Sequence, residues 1–289
     1  MKAISSLSLK ALAAAVGLLG AMAAHAASTY QFAGNGTYNS LNEQYAKTTY
    51  NGTDGNLTIS GAYVANDGTG KTDATKYWNT SSASSPLYFG SNGLGMCSDP
   101  YSATSCNNTT ANHALDNVGN TEGILLSFTN SVILQQIGLG FTSVDSDFSV
   151  FRYAGNGSPA ALNTVKASST DLTTAGWELV GNYADVATDT QTPYTGINSA
   201  GKTSSWWLIT AYNSGLAGST SANGGTLNNN NDYFKIFAVA GTKCAGSVNA
   251  QGVCGGSNGK LPEPATLALT SVALIGVAGL RRRKARIAG

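Results

Sequence analysis

Charge is the feature that this sequence has least of. Lys, Arg, Asp and Glu together supply 11% of the 289 residues, whereas soluble domains average about 25%. The 16 basic and 15 acidic residues give a formal net charge of +1. Because a nucleic-acid-binding protein needs a basic surface, this balance argues against one. Hydrophobic residues make up 42% of the chain, which is enough for a folded core.

Histidine is nearly absent as well. The chain has two histidines, and only His113 lies beyond the first 26 residues. Nucleophilic catalysis by a serine needs a histidine beside it, and no strand-to-helix nucleophile elbow is recognisable here. Phosphate-binding glycine loops and dinucleotide fingerprints are missing too. We therefore expect His113 to be a hydrogen-bonded residue at a strand entry, and we expect no enzyme activity.

Long hydrophobic runs are confined to the two ends of the chain. Near the N-terminus an apolar run extends from Ala11 to Ala24, and Ala24-His25-Ala26 ends it with small residues at the first and third positions. A run of about 14 residues is too short to span ~30 Å of hydrocarbon, which argues against a membrane anchor. The pattern predicts a signal peptide over residues 1–26, cut by signal peptidase between Ala26 and Ala27.

The C-terminal end has three parts. Pro262-Glu263-Pro264 comes first, an uncharged apolar stretch follows from Ala265 to Leu280, and a basic cluster comes last. The cluster comprises Arg281, Arg282, Arg283 and Lys284. The apolar stretch predicts a short membrane helix of about 24 Å, with the basic cluster in the cytoplasm. The prolines hold the segment before the helix extended, as a protease cleft requires.

This arrangement, over residues 262–289, resembles the PEP-CTERM sorting signal, which a membrane protease called an exosortase recognises. The resemblance implies an exported protein of a Gram-negative bacterium that has an exopolysaccharide system. Such a protein is anchored transiently in the inner membrane by its C-terminal helix, then cut near the motif and passed to the cell surface or the extracellular matrix. The alternative is a simple C-terminal anchor, which has no need of the two prolines that flank Glu263.

Between the ends, the apolar runs are short and are separated by turn-forming residues. Each run has about 5 to 10 residues and is rich in β-branched and aromatic side chains, which favours strands. The runs are Leu57–Ala65, Ile124–Phe128, Val132–Phe141, Phe148–Ala154, Trp177–Ala184, Trp206–Asn213 and Tyr233–Ala240. We predict an all-β ectodomain over residues 27–254, folded as a single two-sheet sandwich of jelly-roll type.

Two further segments are predicted to be irregular. The stretch from Leu216 to Asn231 is of low complexity and is expected to form a mobile loop. Residues 255–261 are rich in glycine and are expected to form a flexible linker between the ectodomain and the sorting signal.

All four cysteines, Cys97, Cys106, Cys244 and Cys254, lie in the exported part. An even number in an oxidising compartment predicts disulfides. Of the three connectivities, the local pairs Cys97–Cys106 and Cys244–Cys254 are favoured, because short loops lose less entropy on closing. A metal site is the alternative, but the cysteine spacings do not match zinc motifs.

Acidic residues offer the only sign of a metal site. Asp145 and Asp147 are two residues apart, so on a strand or at its entry their side chains point to the same face. We expect a solvated strand edge and no cofactor there. One alternative is a Ca²⁺ site that also includes Asp116 or Glu122. The other is the catalytic carboxylate pair of a polysaccharide hydrolase.

The four tryptophans are Trp78, Trp177, Trp206 and Trp207. Aromatic side chains pack in cores and also stack on sugars. Because Trp206 and Trp207 are adjacent, a strand would place them on opposite faces. We expect one of them in the core and the other exposed, where it would serve a carbohydrate-binding surface.

Parts of the middle region resemble PEP-CTERM proteins described as exosortase-dependent surface proteins. The similar stretches are His113–Phe128, Val144–Gly157, Trp177–Val186 and Trp206–Asn213. This resemblance implies a location and no enzymatic activity. The sequence thus predicts a non-catalytic structural or binding component of the exopolysaccharide or biofilm matrix. A carbohydrate-binding module and a polysaccharide hydrolase are the alternatives.

The near-neutral net charge belongs to the precursor and not to the ectodomain. Seven of the 16 basic residues and one of the 15 acidic residues lie in the two removable ends. Nine basic and 14 acidic residues remain between Ala27 and Lys260, for a net charge of −5. This balance favours cations and neutral glycans as ligands over nucleic acid. Signal peptidase and an exosortase are the expected processing partners.

Overall fold

The computed structural model describes residues 27–32, 43–45, 47–50, 55–80, 87–97, 113–188, 194–229 and 231–255, with the backbone alone for 43–45 and 47–50. They belong to one compact unit, Ala27–Gly259. The predicted signal peptide, the sorting motif with its helix and basic cluster, nearly all of the linker, and Cys106 lie outside the described residues. Within the described ranges, no helix is long and apolar enough to cross a membrane.

The described part of the chain is built mainly of β-strands, all paired antiparallel. The strands are β1 Ser28–Gln31, β2 Glu43–Tyr45, β3 Lys47–Tyr50, β4 Leu57–Ala65, β5 Leu87–Gly90, β6 Gly93–Met96, β7 Leu115–Asp116, β8 Asn120–Thr142, β9 Phe148–Tyr153, β10 Trp177–Tyr183, β11 Tyr194–Gly196, β12 Ser204–Ala211 and β13 Tyr233–Lys243. The predicted all-β class is confirmed.

Most predicted strands begin and end within three residues of those in the structure. The main difference is β8, because the runs Ile124–Phe128 and Val132–Phe141 are one strand of 23 residues. The polar residues between these runs, which suggested a turn, are the more exposed middle of this strand. A strand can therefore continue through a polar interruption when partners on both sides supply its backbone hydrogen bonds.

The described strands form one sheet, whereas the sequence predicted two. Its order is β10-β9-β12-β8-β13-β6-β5-β2, with β1 and β7 paired to β13, β4 and β11 paired to β8, and β3 paired to β4. The length of β8 explains this continuity. Its first part pairs with β4 and β12, and its second part pairs with β13 and β11.

The main core gathers side chains from strands along the whole length of β8. Phe148 of β9 lies beside Phe234 of β13, with ring centroids 5.8 Å apart. Tyr30 of β1 likewise meets Phe128 of β8 in an edge-to-face contact at 5.5 Å. Aromatic pairs of this kind add to the free energy gained by burying apolar surface.

A second core lies on the opposite face of β9 and β12, beneath three short helices. These are a 3-10 helix, Leu162–Thr164, and two α-helices, α1 Ser169–Thr174 and α2 Ser214–Ala217. Ser168 caps α1 by accepting a hydrogen bond from Asp171 N at 3.0 Å. Trp78 and Trp177 are fully buried in this core. These helices cover part of this face, and Leu162 of the 3-10 helix also lines a cavity on it.

Candidate functional site

Trp206 and Trp207 lie on opposite faces of β12, as the sequence predicted. Trp207 is fully buried in the main core, while Trp206 is half-buried and lines two cavities on the other face. A bulge at the start of β12 fixes this geometry. The hydroxyl of Ser204 donates to Tyr153 O at 2.7 Å and accepts from Trp206 N at 3.0 Å. Trp206 is thus held by its own backbone at the junction of the two cavities.

Hydroxyl groups line the first cavity, of about 340 Å³. Thr58 of β4 is the register partner of Ser127 of β8, which in turn is the partner of Trp206. Register partners share a face and lie about 4.8 Å apart across the sheet. Two hydroxyls and an indole thus form a row across three strands, with Ser60 beside it. None of the residues that line this cavity is charged.

Charged side chains occur in the second cavity, of about 870 Å³, on the other side of Trp206. Arg152 of β9 and Glu178 of β10 are register partners and form an ion pair, and Glu178 also pairs with Lys202. The Arg152 guanidinium donates to Thr203 O at 3.1 Å and to Gln251 O at 3.3 Å. Burial lowers the pKa of Arg152 below its usual value. We name the two adjoining cavities together the Trp206 cleft.

A disulfide loop forms one wall of the Trp206 cleft. The predicted bond Cys244–Cys254 is present, with a Cα–Cα distance of 5.7 Å, and the residues that it encloses include Val248 to Gly252 of the wall. Gly252 O accepts from Thr203 N at 2.8 Å, which attaches the loop to the strand side of the cleft. Cys97 is also disulfide-bonded, and its predicted partner Cys106 lies outside the described residues.

An acidic cluster lies at the other end of β9. The carboxylates of Asp145, Asp147 and Asp185 each place an oxygen within 4.8 Å of the others. The sequence singled out Asp145 and Asp147 but not Asp185. Because β9 and β10 pair antiparallel, with Phe148 opposite Tyr183, the residues just before β9 meet those just after β10. The antiparallel pairing of β9 with β10 is the information that would have identified Asp185.

Asp116, expected as the third carboxylate, is not a member of this cluster. It lies on β7 opposite Tyr233, and its Oδ1 accepts from Val118 N at 2.9 Å. Glu122, the other candidate, is buried, and its Oε2 accepts from Asp116 N at 3.2 Å. Both residues therefore take part in hydrogen bonds that are local to β7 and the start of β8.

The asparagine-rich loop predicted to be mobile is hydrogen-bonded to the acidic cluster. Asn228 N donates to Asp147 Oδ2 at 2.8 Å, and the side-chain amide of Asn228 donates to Asp145. Thr226 N donates to Asp185 Oδ2 at 3.3 Å. The loop therefore supplies hydrogen bonds to three carboxylates, a role that its low-complexity composition did not reveal.

Burial dominates the electrostatics of this end. Burial, with smaller contributions from the neighbouring carboxylates of Asp145 and Asp185, raises the pKa of Asp147 to about 6. Asp232, which is fully buried, accepts from Asp147 N at 2.7 Å and from the Asn117 amide, and burial raises its pKa to about 9. Oxygen clusters of this kind suit hard cations such as Ca²⁺. A Ca²⁺ site formed by the triad stays a hypothesis.

His113 lies two residues before Leu115, the first residue of β7, at the strand entry that the sequence predicted. Its ring stacks on Tyr88 with centroids 4.0 Å apart. Its Nδ1 is buried without a hydrogen-bond partner among the described residues. Burial, together with the charge of Lys235, lowers its pKa to about 4. His113 is therefore neutral at physiological pH.

Comparison with known proteins found no match for this chain among family models, curated proteins or solved structures.

Proposed function

We propose that this chain is an exported, non-catalytic component of the cell surface or exopolysaccharide matrix, and that its β domain binds polysaccharide at the Trp206 cleft. The observation that carries the proposal is the row of Thr58, Ser127 and Trp206, which presents an aromatic face beside hydroxyl groups. Sugars have apolar C–H faces and equatorial hydroxyls, so an indole with neighbouring polar side chains complements them.

The charge content of the cleft supports binding over hydrolysis. Glycosidases need two carboxylates that flank the scissile bond. Glu178 is the only carboxylate among the described residues that line the cleft, and it is paired with Arg152 and Lys202. Asp145 and Asp147, the pair that the hydrolase alternative would need, precede β9, whereas Tyr153, which lines the cleft, ends it.

The proposal also includes a finer description of the fold and a route of processing. We propose that the sheet folds over along β8 into the two layers of a sandwich of jelly-roll type, because strands from both ends of β8 contribute to one core. We also propose that signal peptidase cuts after Ala26 and that an exosortase recognises Pro262-Glu263-Pro264. The signal-peptide pattern at the N-terminus and the resemblance of the C-terminus to the PEP-CTERM sorting signal support this export route.

The proposal is tested by incubating the mature protein with the exopolysaccharide of the producing organism. Co-sedimentation with the polymer, without release of reducing ends, is the expected result. Turnover that is abolished in Asp145→Asn or Asp147→Asn would establish the hydrolase alternative. Absence of co-sedimentation, together with loss of the matrix on deletion of the protein, would leave a purely structural role and refute the binding function.

A further inference from the structure

Charge is distributed unevenly along the Trp206 cleft. No charged residue lines the first cavity, which we name the hydroxyl cavity, whereas the charged residues Arg152, Lys202 and Glu178 line the second cavity. Two cations against one carboxylate leave a net charge of +1 at that end, in a domain whose formal net charge is −5. We name this end of the cleft the Arg152 end. Its net charge is therefore opposite in sign to that of the whole domain.

Lys202 is the cation at the Arg152 end that a ligand can reach. The Arg152 side chain is 7% exposed and already bonds Glu178 and two carbonyl oxygens. The Lys202 side chain is 26% exposed, and Glu178 is its only ion-pair partner among the described residues. An ammonium group has three donors, so Lys202 retains donors for a ligand after it has bonded Glu178.

The positive charge of Lys202 lies in partly desolvated surroundings at the Arg152 end. Burial and the neighbouring Arg152 lower the pKa of Lys202, which means that its surroundings disfavour the charged form. A partly buried cation without a full counter-charge is costly, and an anion bound beside it removes that cost. The surroundings of Lys202 thus favour an anionic group over a neutral one at this end.

The negative net charge of the domain does not prevent an anionic group from binding at the Arg152 end at physiological salt. The Debye length is about 8 Å at 0.15 M ionic strength, so acidic residues farther away are largely screened. The acidic cluster is such a group, because its nearest member along the chain, Asp147, precedes Arg152 by five residues of extended chain, or about 16–17 Å. The charge at the cleft therefore decides the preference, although the net charge of −5 favoured neutral glycans.

We propose that the Arg152 end of the Trp206 cleft binds a sugar unit that carries a carboxylate, of the uronic acid class, and that the hydroxyl cavity binds a neutral unit of the same polymer. The inference rests on the proposed function and deepens it, because it assigns a substrate class to the same cleft. Lys202 is the specificity-determining residue, and Trp206 serves both units.

The test uses the producer's own exopolysaccharide in two forms, native and after chemical reduction of its carboxylates to primary alcohols. Native polymer is expected to bind about tenfold more tightly than reduced polymer, the value of one charge-assisted hydrogen bond. Lys202→Gln, which makes the Arg152 end neutral, is expected to remove that preference and leave binding of the reduced polymer unchanged. Lys166→Gln, an exposed lysine outside the cleft, is the matched control and should keep the preference.

The outcomes separate this inference from the function on which it rests. Equal binding of both polymers, with loss of both in Trp206→Ala, would refute the acidic ligand and retain the proposed function. A preference that Lys202→Gln and Lys166→Gln reduce equally would also overturn the inference, since net charge would then be its source. Binding of neither polymer would overturn both the inference and the proposed function. If wild type prefers the native polymer, and Lys202→Gln removes this preference while Lys166→Gln keeps it, the result supports the inference.

Discussion

Trp206 and Trp207 are neighbours in the sequence and face opposite sides of the sheet. Trp207 is fully buried in the main core and donates its Nε1–H to Ser204 O at 3.0 Å, whereas Trp206 lines the cleft. Because Ser204 also accepts from Trp206 N, one bulge positions both side chains. Substitution of each tryptophan should therefore affect a different property of the protein.

Trp207→Ala should destabilise the domain. Removal of a fully buried tryptophan costs the transfer free energy of the ring and creates a cavity, together about 3–5 kcal/mol. The free energy of unfolding measured by chemical denaturation checks this value. Leu179→Ala, on the exposed side of β10, is the control and should change it by less than about 0.5 kcal/mol. A loss below about 1 kcal/mol for Trp207→Ala would show that the core packs differently.

Removal of the Cys244–Cys254 disulfide should weaken both stability and the cleft wall. The bond closes a loop with a sequence separation of 10, for which the entropy of the unfolded chain predicts about 2–3 kcal/mol. In the double variant Cys244→Ser with Cys254→Ser, we expect faster hydrogen exchange at Thr203 N, because its acceptor Gly252 O lies in the loop. Unchanged exchange at Thr203 would mean that the loop stays attached without its covalent bond.

Stability should fall as the pH rises from 6.5 to 8 in the presence of a chelator; the lowered pKa of His113 below this window, and that of Lys235 above it, change stability in the opposite direction. The folded-state pKa values of Asp147, about 6, and Asp232, about 9, lie above the ordinary value of 3.8. Protonated carboxyls therefore favour the folded state at acid pH, and this contribution is lost as the pH rises through the folded-state values. The decrease should be about 1.4 kcal/mol, the equivalent of one pKa unit.

The matched variants for this pH dependence are Asp232→Asn and Asp67→Asn. The first removes the buried titrating group and should flatten the slope over that pH range, whatever its effect on absolute stability. Asp67 has a lowered pKa because the Thr69 side chain and backbone donate to its exposed carboxylate, so its substitution should leave the slope unchanged. Stability that is flat or rises over that pH range in the wild type would contradict the burial of Asp232 as a neutral acid.

Processing of the chain ends should be visible in the mass of the protein. We expect the wild-type protein from the producer's surface or medium to begin at Ala27 and to lack the apolar stretch that ends at Leu280. Glu263→Ala should leave the C-terminal segment in place and reduce surface display, because the exosortase would no longer recognise its motif. Glu43→Ala is the control for loss of an acidic residue elsewhere. Normal processing and display of Glu263→Ala would disprove recognition through this motif.

Local pattern was enough to predict much of the fold. β4 occupies Leu57–Ala65 as predicted, and Trp177 begins β10 as predicted, because both runs carry β-branched and aromatic residues between clear turn signals. The continuity of β8 was missed, since its polar middle has the composition of a turn. Whether a strand passes through such a segment depends on distant partners, which composition does not encode.

For the Trp206 cleft and the acidic cluster, even less could be predicted from the local sequence. Because side chains alternate between the two faces of a strand, the sequence predicted that Trp206 and Trp207 would lie on opposite faces. The low entropy cost of closing a short loop predicted the Cys244–Cys254 bond. Arg152 and Glu178 are 26 residues apart and meet only through the register of β9 and β10. The same register brings Asp185 to Asp147. Long-range register was therefore the missing information in both places.

The most direct test of polysaccharide binding at the Trp206 cleft is the affinity of the mature Trp206→Ala variant for the producer's exopolysaccharide, measured by calorimetry beside wild type. Tyr77→Ala, which removes a 53% exposed aromatic residue outside the cleft, is the matched control. The account predicts that Trp206→Ala weakens binding by about tenfold or more, as loss of a central aromatic contact does, and that Tyr77→Ala binds like wild type. Equal affinity of Trp206→Ala and wild type would contradict it.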